Sequence, residues 1–376
     1  MKAFVTGGSG FIGSHVVQKL VERGYQVNAL VRNESSAFSV RRFGAQPIWG
    51  DIIAPETLRD GLRGCDVVFH IAGWYRLGAS DWRKAELINV EGTRNVLTLA
   101  WQLRIPRILY TSTVTVFGDT HGVLVDETYQ PQANQFLNEY DRTKWIAHYQ
   151  IAVPLIQQGA PIIIALPGVA FGPGDPSLVG DLMRCFYWGL MPVLPGPETS
   201  FTYAHVEDIA EGLILAAEKG SPGESYILAG PYLDLAEAIN LWSLLTGKRY
   251  PLIKIPARYL KPFAPLLSTI QGILPLPPIL SRDAVSVLGA TYLASAEKAR
   301  KMLGWRPQSL AAGFRETFAA IAQEKPPVSL PAAPKKRRTL ATVALGSALG
   351  LLSIWMFTRW LRSERKRRDL GGFGSR

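Results

Sequence analysis

Tyr140 and Lys144 stand one helical turn apart in Tyr140-Asp-Arg-Thr-Lys144. The surrounding stretch, residues 138–158, can be helical as far as Pro154, which puts the phenol and the ammonium on one face. A phenol with a pKa of about 10 is a poor base at neutral pH. A neighbouring cation stabilises its phenolate, so the pair is competent to move the proton of an alcohol. The spacing alone is a weak signal, since 13 tyrosines in 376 residues supply roughly half such a pair by chance. Tyr250 and Lys254 form a second copy, but Pro251 and the extended apolar run around it keep those side chains off a common helical face. A hydroxyl donor should orient the same oxygen, and the strand end Thr111-Ser112-Thr113 offers three.

These residues need a scaffold, and the first half of the chain supplies it. Lys2 to Thr6 is a short apolar run ending in Gly7-Gly8-Ser9-Gly10-Phe11-Ile12-Gly13, after which Val16, Val17, Leu20 and Val21 recur at helical spacing. Strand, glycine turn and helix in that order turn the chain sharply, let backbone approach a pyrophosphate and present free N–H groups at the helix start. That arrangement binds a dinucleotide. Further strands are expected at 26–31, 46–49, 67–72, 107–112 and 162–166, separated by helical stretches, so the fold class is α/β, a Rossmann-type doubly wound parallel sheet. Tyr140 follows the fifth strand, where strand ends meet at the cofactor. The second strand ends in Arg32, at the place where such a fold meets the adenosine ribose. An acidic residue there holds a 2′-hydroxyl, whereas an arginine suits a 2′-phosphate, which favours NADP with NAD as the alternative. Asp51 in Gly50-Asp51-Ile52 ends the next strand and can accept from the adenine amino group. With a nicotinamide cofactor, Tyr140 would exchange a proton with substrate as hydride moves, while Lys144 would also hold the nicotinamide ribose hydroxyls.

The net charge of +11 does not mark a nucleic-acid binder, because of where it lies. Residues 335–376 hold eleven Lys and Arg against Glu364 and Asp369, a net of +9, which leaves +2 for residues 1–334. A nearly neutral body has no basic face to track phosphates. Between two basic clusters, residues 339–358 (TLATVALGSALGLLSIWMFT) run uncharged for 20 positions, the length of a membrane span. Pro326, Pro327, Pro331 and Pro334 before it read as a linker. The expected organisation is a dinucleotide-binding domain (1–166), a smaller substrate lobe interleaved with the sheet (167–325), a Pro-rich basic linker (326–338), a C-terminal transmembrane helix (339–358) and a basic tail (359–376). With the first residues already committed to strand and glycine turn, the catalytic body is expected in the cytoplasm, membrane-anchored through its tail. Cys65 and Cys185 are too few for a disulfide framework, and the five histidines lack ligand spacing, so no metal is expected.

Taken in order, several motifs carry a family resemblance. They are Thr6-Gly7-x-x-Gly10-x-x-Gly13, Gly50-Asp51-Ile52, His70-Ile-Ala72, Asn89-Val-Glu-Gly-Thr93, Thr113-x-x-Val116-Phe117-Gly118, Tyr140-x-x-x-Lys144 and Pro167-Gly-Val169. The chain resembles the extended short-chain dehydrogenase/reductases, the NAD-dependent epimerase/dehydratase group. The stretch His70 to Leu77 looks closer to hopanoid-associated epimerase-like and dihydroflavonol-reductase-like members, and 3β-hydroxysteroid dehydrogenases of the superfamily include membrane-associated ones. The resemblance implies Tyr140 and Lys144 as catalytic residues, with Thr113, five positions before Gly118, as the hydroxyl partner and Ser112 as runner-up. It implies a cofactor site of Gly7, Gly10, Phe11, Ile12, Gly13, Arg32, Asp51, Ile52, Ala72, Lys144, Pro167 and Val169. Phe117 stands where the family commonly has tyrosine, and no arginine stands near Ala165 or Leu166, where sugar-nucleotide members usually have one. The expected activity is therefore hydride transfer at a carbonyl or secondary alcohol of a small apolar molecule of lipid, sterol or flavonoid type. The alternatives are a sugar epimerase or dehydratase that recycles its cofactor internally, and a non-catalytic dinucleotide-binding scaffold. A homodimer pairing through the Asn89 to Leu103 region is open by family analogy. His205-Val-Glu-Asp208 reads as a helix cap rather than a catalytic dyad.

Overall fold

The computed structural model describes residues 1–75, 82–131, 135–191, 193–248, 253–263 and 282–325. Six strands in chain order and one from further along form one seven-stranded sheet, built from apolar runs that cannot be left in water. The first six are β1 (Lys2–Thr6), β2 (Gln26–Val31), β3 (Gln46–Trp49), β4 (Val67–His70), β5 (Arg107–Thr111) and β6 (Ile162–Pro167). The edge strand beyond β6 is contributed from further along the chain. Ile162 to Pro167 is buried at every position, as expected where helices cover both faces of a parallel sheet.

After β6 come β7 (Val169–Phe171), β8 (Val193–Pro195), β9 (Ser200–His205), β10 (Ser225–Leu228), β11 (Tyr232–Asp234), β12 (Ile253–Ile255) and β13 (Thr291–Tyr292). The main sheet runs β10-β6-β5-β4-β1-β2-β3, and its pairs are parallel. The strand order reverses between β1 and β4, which opens the crevice at their carboxyl ends where this kind of fold binds its ligand. The helix Phe11–Glu22 buries Val16, Val17 and Leu20, and the helix Val206–Lys219 is tied to it by Glu207, which pairs with His15 and Lys19.

A second sheet, β11-β9-β13 with β7 on β9, and the pair β12-β8 lie beside a separate aromatic core. There Trp242 packs against Phe186, Phe314 and Phe318 with ring centroids 5.6 to 5.7 Å apart, each pair adding about 0.5–1.5 kcal/mol to its area burial. Phe186 is thus a packing residue. The helix Leu235–Thr246 in this core starts on a capping box of Asp234 and Glu237 and stops on Gly247 in the left-handed region. His205 caps the helix Val206–Lys219, accepting from the Glu207 N–H, and is buried. Residues 1–323 form one compact unit, with β10 from the second half completing the first sheet.

Some boundaries differ from the sequence reading. β4 stops at His70 and β5 at Thr111, each short of its apolar run, because the chain leaves the sheet at the crevice. The helical stretch after Asn138 does not end at Pro154. It widens into a π turn over Ile146–Ala152 and continues as α over Val153–Gln157, so the widened turn carries Pro154 inside one continuous helical stretch. Among the described residues no helix is long and apolar enough to cross a membrane. The run at 339–358, its linker and tail, Tyr250 and Arg76 to Leu77 lie outside the described residues.

Candidate active site

The glycine turn is held by what has no room beside it. Gly7 has φ +75°, and a Cβ on it would stand 2.7 Å from the Ala72 nitrogen. A Cβ on Gly13 would collide with the Gly7 carbonyl oxygen. Gly10 is the N-cap of the helix Phe11–Glu22 with no side-chain cap, and the first turn carries no acidic residue. The free N–H groups and positive end of that helix, from Phe11 and Ile12 onward, are therefore left for an anion from outside the chain. The residues present fit a dinucleotide pyrophosphate. β1 and β4 are locked together at this point. The Ala72 N–H donates to Thr6 Oγ1 (3.3 Å), the Thr6 hydroxyl bonds His70 Nδ1 (2.8 Å) and His70 Nε2 bonds Thr93 Oγ1 (3.0 Å). Burial and then the Lys144 charge lower the His70 pKa to about 3, so it stays neutral. The neutral ring thus joins Thr6 to Thr93 across the crevice floor of β1 and β4.

Tyr140 and Lys144 lie on the helix Glu139–Trp145, capped by Asn138, which accepts from the Asp141 N–H at 2.9 Å. Lys144 is 5% exposed; its Nζ donates to the Thr111 carbonyl at 2.8 Å and stands 4.9 Å from the centre of the Tyr110 ring. Burial lowers its pKa to about 7. Burial first and then the Asp141 carboxylate push the Tyr140 phenol above its ordinary value, against a hydrogen bond from Thr113 that works the other way. The phenol is therefore protonated at neutral pH, as an ordinary phenol is. Ser112 does not share this role: its hydroxyl bonds His148 Nδ1 at 2.8 Å, deep beneath the site. The structure brings Thr113, Tyr140 and Lys144 together and turns Ser112 away from them.

A testable consequence concerns stability. The folded chain releases the Lys144 proton at about pH 7, whereas the unfolded chain keeps it to about 10.5. The cost of burying the ammonium is therefore full below pH 7 and fades as the pH rises toward 10.5. Lys144→Met is expected to inactivate the protein yet melt about a few degrees higher near pH 6, the advantage shrinking by pH 9. Calorimetric melting across that range checks it, and a lower melting point at every pH would refute it.

At the other end of the crevice, Arg32 Nη1 and Asp51 Oδ2 are 3.8 Å apart with the guanidinium exposed, so the two residues expected at the adenosine do face one space. Ile52 is buried against Gly92, and Pro167 and Val169 stand at the carboxyl end of β6. Three positioning contacts were not visible in spacing. Asn89 accepts from the Trp74 N–H (2.7 Å) and donates to the Trp74 carbonyl (3.1 Å) and to Thr143 Oγ1 (3.0 Å), clamping the loop after β4 to the catalytic helix. That clamp sets the Tyr75 ring edge-on to Tyr140, with centroids 4.9 Å apart. The His70 chain is the third. Asn89, His70 and Thr93 do stand in the motifs that carry the resemblance, and Tyr75 in the stretch after β4, but nothing local shows what they touch. Among the described residues no group of three or more His, Cys, Asp or Glu could hold a metal ion.

The model of the NAD dependent epimerase/dehydratase family matches residues 3–229, which span the glycine turn, Thr113, Tyr140 and Lys144. The chain belongs to this family. It is 34% identical over 310 residues to a 4-hydroxy-2-methyl-3-oxo-4-farnesyl-3,4-dihydroquinoline-1-oxide ketoreductase of Stigmatella aurantiaca, covering 81% of this chain and 92% of that protein. It is 26% identical to the sterol demethylase protein B of Methylococcus capsulatus, over 85% of this chain and 98% of that one. Among solved structures, that of gox2253 superposes with a TM-score of 0.75 at 32% identity, covering 85% of this chain and 98% of that chain. The protein is therefore an NAD(P)-dependent enzyme of the extended short-chain dehydrogenase/reductase kind.

Proposed function

We propose that the protein is a membrane-tethered, NADP-dependent reductase that acts on a carbonyl of a small apolar molecule, or on the matching secondary alcohol in reverse. The observation that carries this reading is the Tyr140 phenol, hydrogen-bonded to Thr113, one turn from Lys144 and beside the glycine crevice. When bound, the nicotinamide supplies the hydride. Thr113 orients the substrate oxygen, Tyr140 gives it a proton, and Lys144 stabilises the phenolate left behind.

An apolar substrate is supported from three sides. Ala165 and Leu166, where an arginine would meet a sugar nucleotide, are fully buried apolar residues in β6. Phe117 is buried edge-on against Tyr129. The ketoreductase relative is named for a farnesyl-bearing compound and the other for sterol chemistry. The uncharged run at 339–358 between basic clusters supports the tether and would deliver lipid-soluble substrate to the body. Arg32 supports NADP. Arg32→Ala is expected to weaken NADPH about tenfold or more while changing NADH little, by fluorescence titration; equal losses for both would assign it no phosphate.

The test of the function is turnover of the full chain with NADPH against sterol, flavonoid, prenylated-quinoline and sugar-nucleotide ketones, followed by nicotinamide absorbance. Steady cofactor consumption with an apolar ketone supports the reading. Product without net cofactor change supports the internally recycling epimerase or dehydratase, the second reading, which shares the same Tyr140 and Lys144.

A further inference from the structure

Three large apolar side chains are left in water at one end of the lobe built around Trp242. Leu244 is 82%, Ile253 65% and Leu190 55% exposed. Their neighbours bring them to the same place. Leu244 lies in the last turn of the helix Leu235–Thr246. Lys248, just beyond that helix, donates to the Tyr187 carbonyl at 2.7 Å and stands 3.9 Å from the centre of the Tyr187 ring and 5.8 Å from that of Trp188. Leu190 follows that aromatic pair, and Ile253 opens β12 in register with Val193 of β8. Apolar groups gathered in this way at a surface mark a site of interaction.

The charge along this segment has one sign. Residues 238–281 hold Lys248, Arg249, Lys254, Arg258 and Lys261 and no Asp or Glu. Lys254, Arg258 and Lys261 are exposed, on β12 and the short turns after it. Glu198 reaches the same segment, where its carboxylate is engaged by the Ala257 N–H at 2.7 Å. The chain also leaves the lobe here. Phe318 stacks on Tyr187 at 6.0 Å, and its helix, Leu310–Ile321, ends one turn later. Residues 322–338 join that helix to the uncharged run beginning at Thr339, and a chain of that length reaches at most about 60 Å.

We propose that this face, Leu190, Leu244 and Ile253 with Lys254, Arg258 and Lys261, lies on the surface of an anionic lipid bilayer as a second membrane contact apart from the tail. It rests on the tether reading only for bringing the bilayer within reach. The apolar side chains enter the boundary between headgroups and acyl chains, the cations are drawn to lipid phosphates, and Tyr187 and Trp188 are residue types that favour that depth. A second copy of the chain would bring the same positive charge to the face and be repelled. Two contacts hold the body in one orientation, where a tail alone leaves it free to turn.

The experiment needs no substrate. The full chain is reconstituted in vesicles of phosphatidylcholine with or without phosphatidylglycerol. It carries a polarity-sensitive dye on Leu244→Cys, in a Cys185→Ser background with Cys65 buried. The control dye is on Phe38→Cys, 64% exposed on the helix Glu34–Arg42, and a dye on Ile253→Cys repeats the reading. With phosphatidylglycerol the emission at 244 is expected to move to shorter wavelength and to be quenched by brominated lipid, while that at 38 stays aqueous. Lys254→Gln is expected to lower the docked-to-free ratio about fivefold, and high salt to reverse the shift without releasing the chain. An aqueous dye at 244 and at 253 on vesicles that retain the chain overturns the docking and leaves the tether standing. Equal quenching at 244 and 38, as non-specific adsorption gives, also overturns it, and a full shift on phosphatidylcholine alone overturns the anionic partner. A chain that salt strips from the vesicles, its dye at 244 shifted until then, supports the docking and overturns the tether. A chain that neither vesicle retains overturns both.

Discussion

Replacing Tyr140 with phenylalanine is expected to lower kcat/KM by about 10²- to 10⁴-fold, the contribution of a well-placed general acid, while leaving NADPH affinity within about twofold. The substitution removes only the hydroxyl. The ring stays edge-on to Tyr75, the helix cap on Asn138 is backbone to side chain and unaffected, and Lys144 keeps its bond to Thr111. Thr113 loses a partner but retains the Thr115 N–H as a donor. Loss of turnover with intact cofactor binding therefore isolates proton donation, which binding titration alongside steady-state kinetics measures. Parental activity in the variant would favour the non-catalytic scaffold instead.

Gly13→Val is expected to weaken the dinucleotide by at least about 100-fold through geometry alone. A Cβ at Gly13 has no place to go, because it meets the Gly7 carbonyl oxygen, a backbone atom. Gly7 cannot retreat either, being packed on Ala72 and held at a positive φ. The helix Phe11–Glu22 must then swing away from the turn, and its free N–H groups with it. At Gly10 a Cβ would be 3.2 Å from the same carbonyl oxygen, tight but tolerable, so Gly10→Ala should lose less than Gly13→Val. Calorimetric titration with NADPH orders the two; comparable small losses at both would mean the turn does not cradle the pyrophosphate.

The scaffold is legible in the sequence because a parallel sheet covered on both faces demands uninterrupted apolar runs, as in Ala3-Phe-Val5 and Ile162-Ile-Ile164, and because glycines at 7, 10 and 13 have no other economical use. The Tyr140 and Lys144 pair is legible because its geometry is local, one turn of one helix. What escaped reading is non-local. Thr6 reaches His70 across 64 residues, and Tyr292 reaches Asp141 across 151. Only the strand order decides such meetings. Thr113 and Ser112 could not be separated from spacing alone, since the difference lies in His148 waiting behind Ser112 from the helix that follows. The π turn after Trp145 escaped for a related reason: it answers to packing and to Pro154, not to the apolar period.

The central claim is net hydride transfer to an apolar carbonyl with Tyr140 as proton donor. It is tested most directly by giving the full chain NADPH deuterated at the transferable position of the nicotinamide, together with prenylated-quinoline and sterol ketones and nucleotide sugars. The account predicts an apolar alcohol that carries the deuterium, formed one for one with oxidised cofactor and absent with Tyr140→Phe. Product formed from a nucleotide sugar with the cofactor returned to its starting state would contradict it.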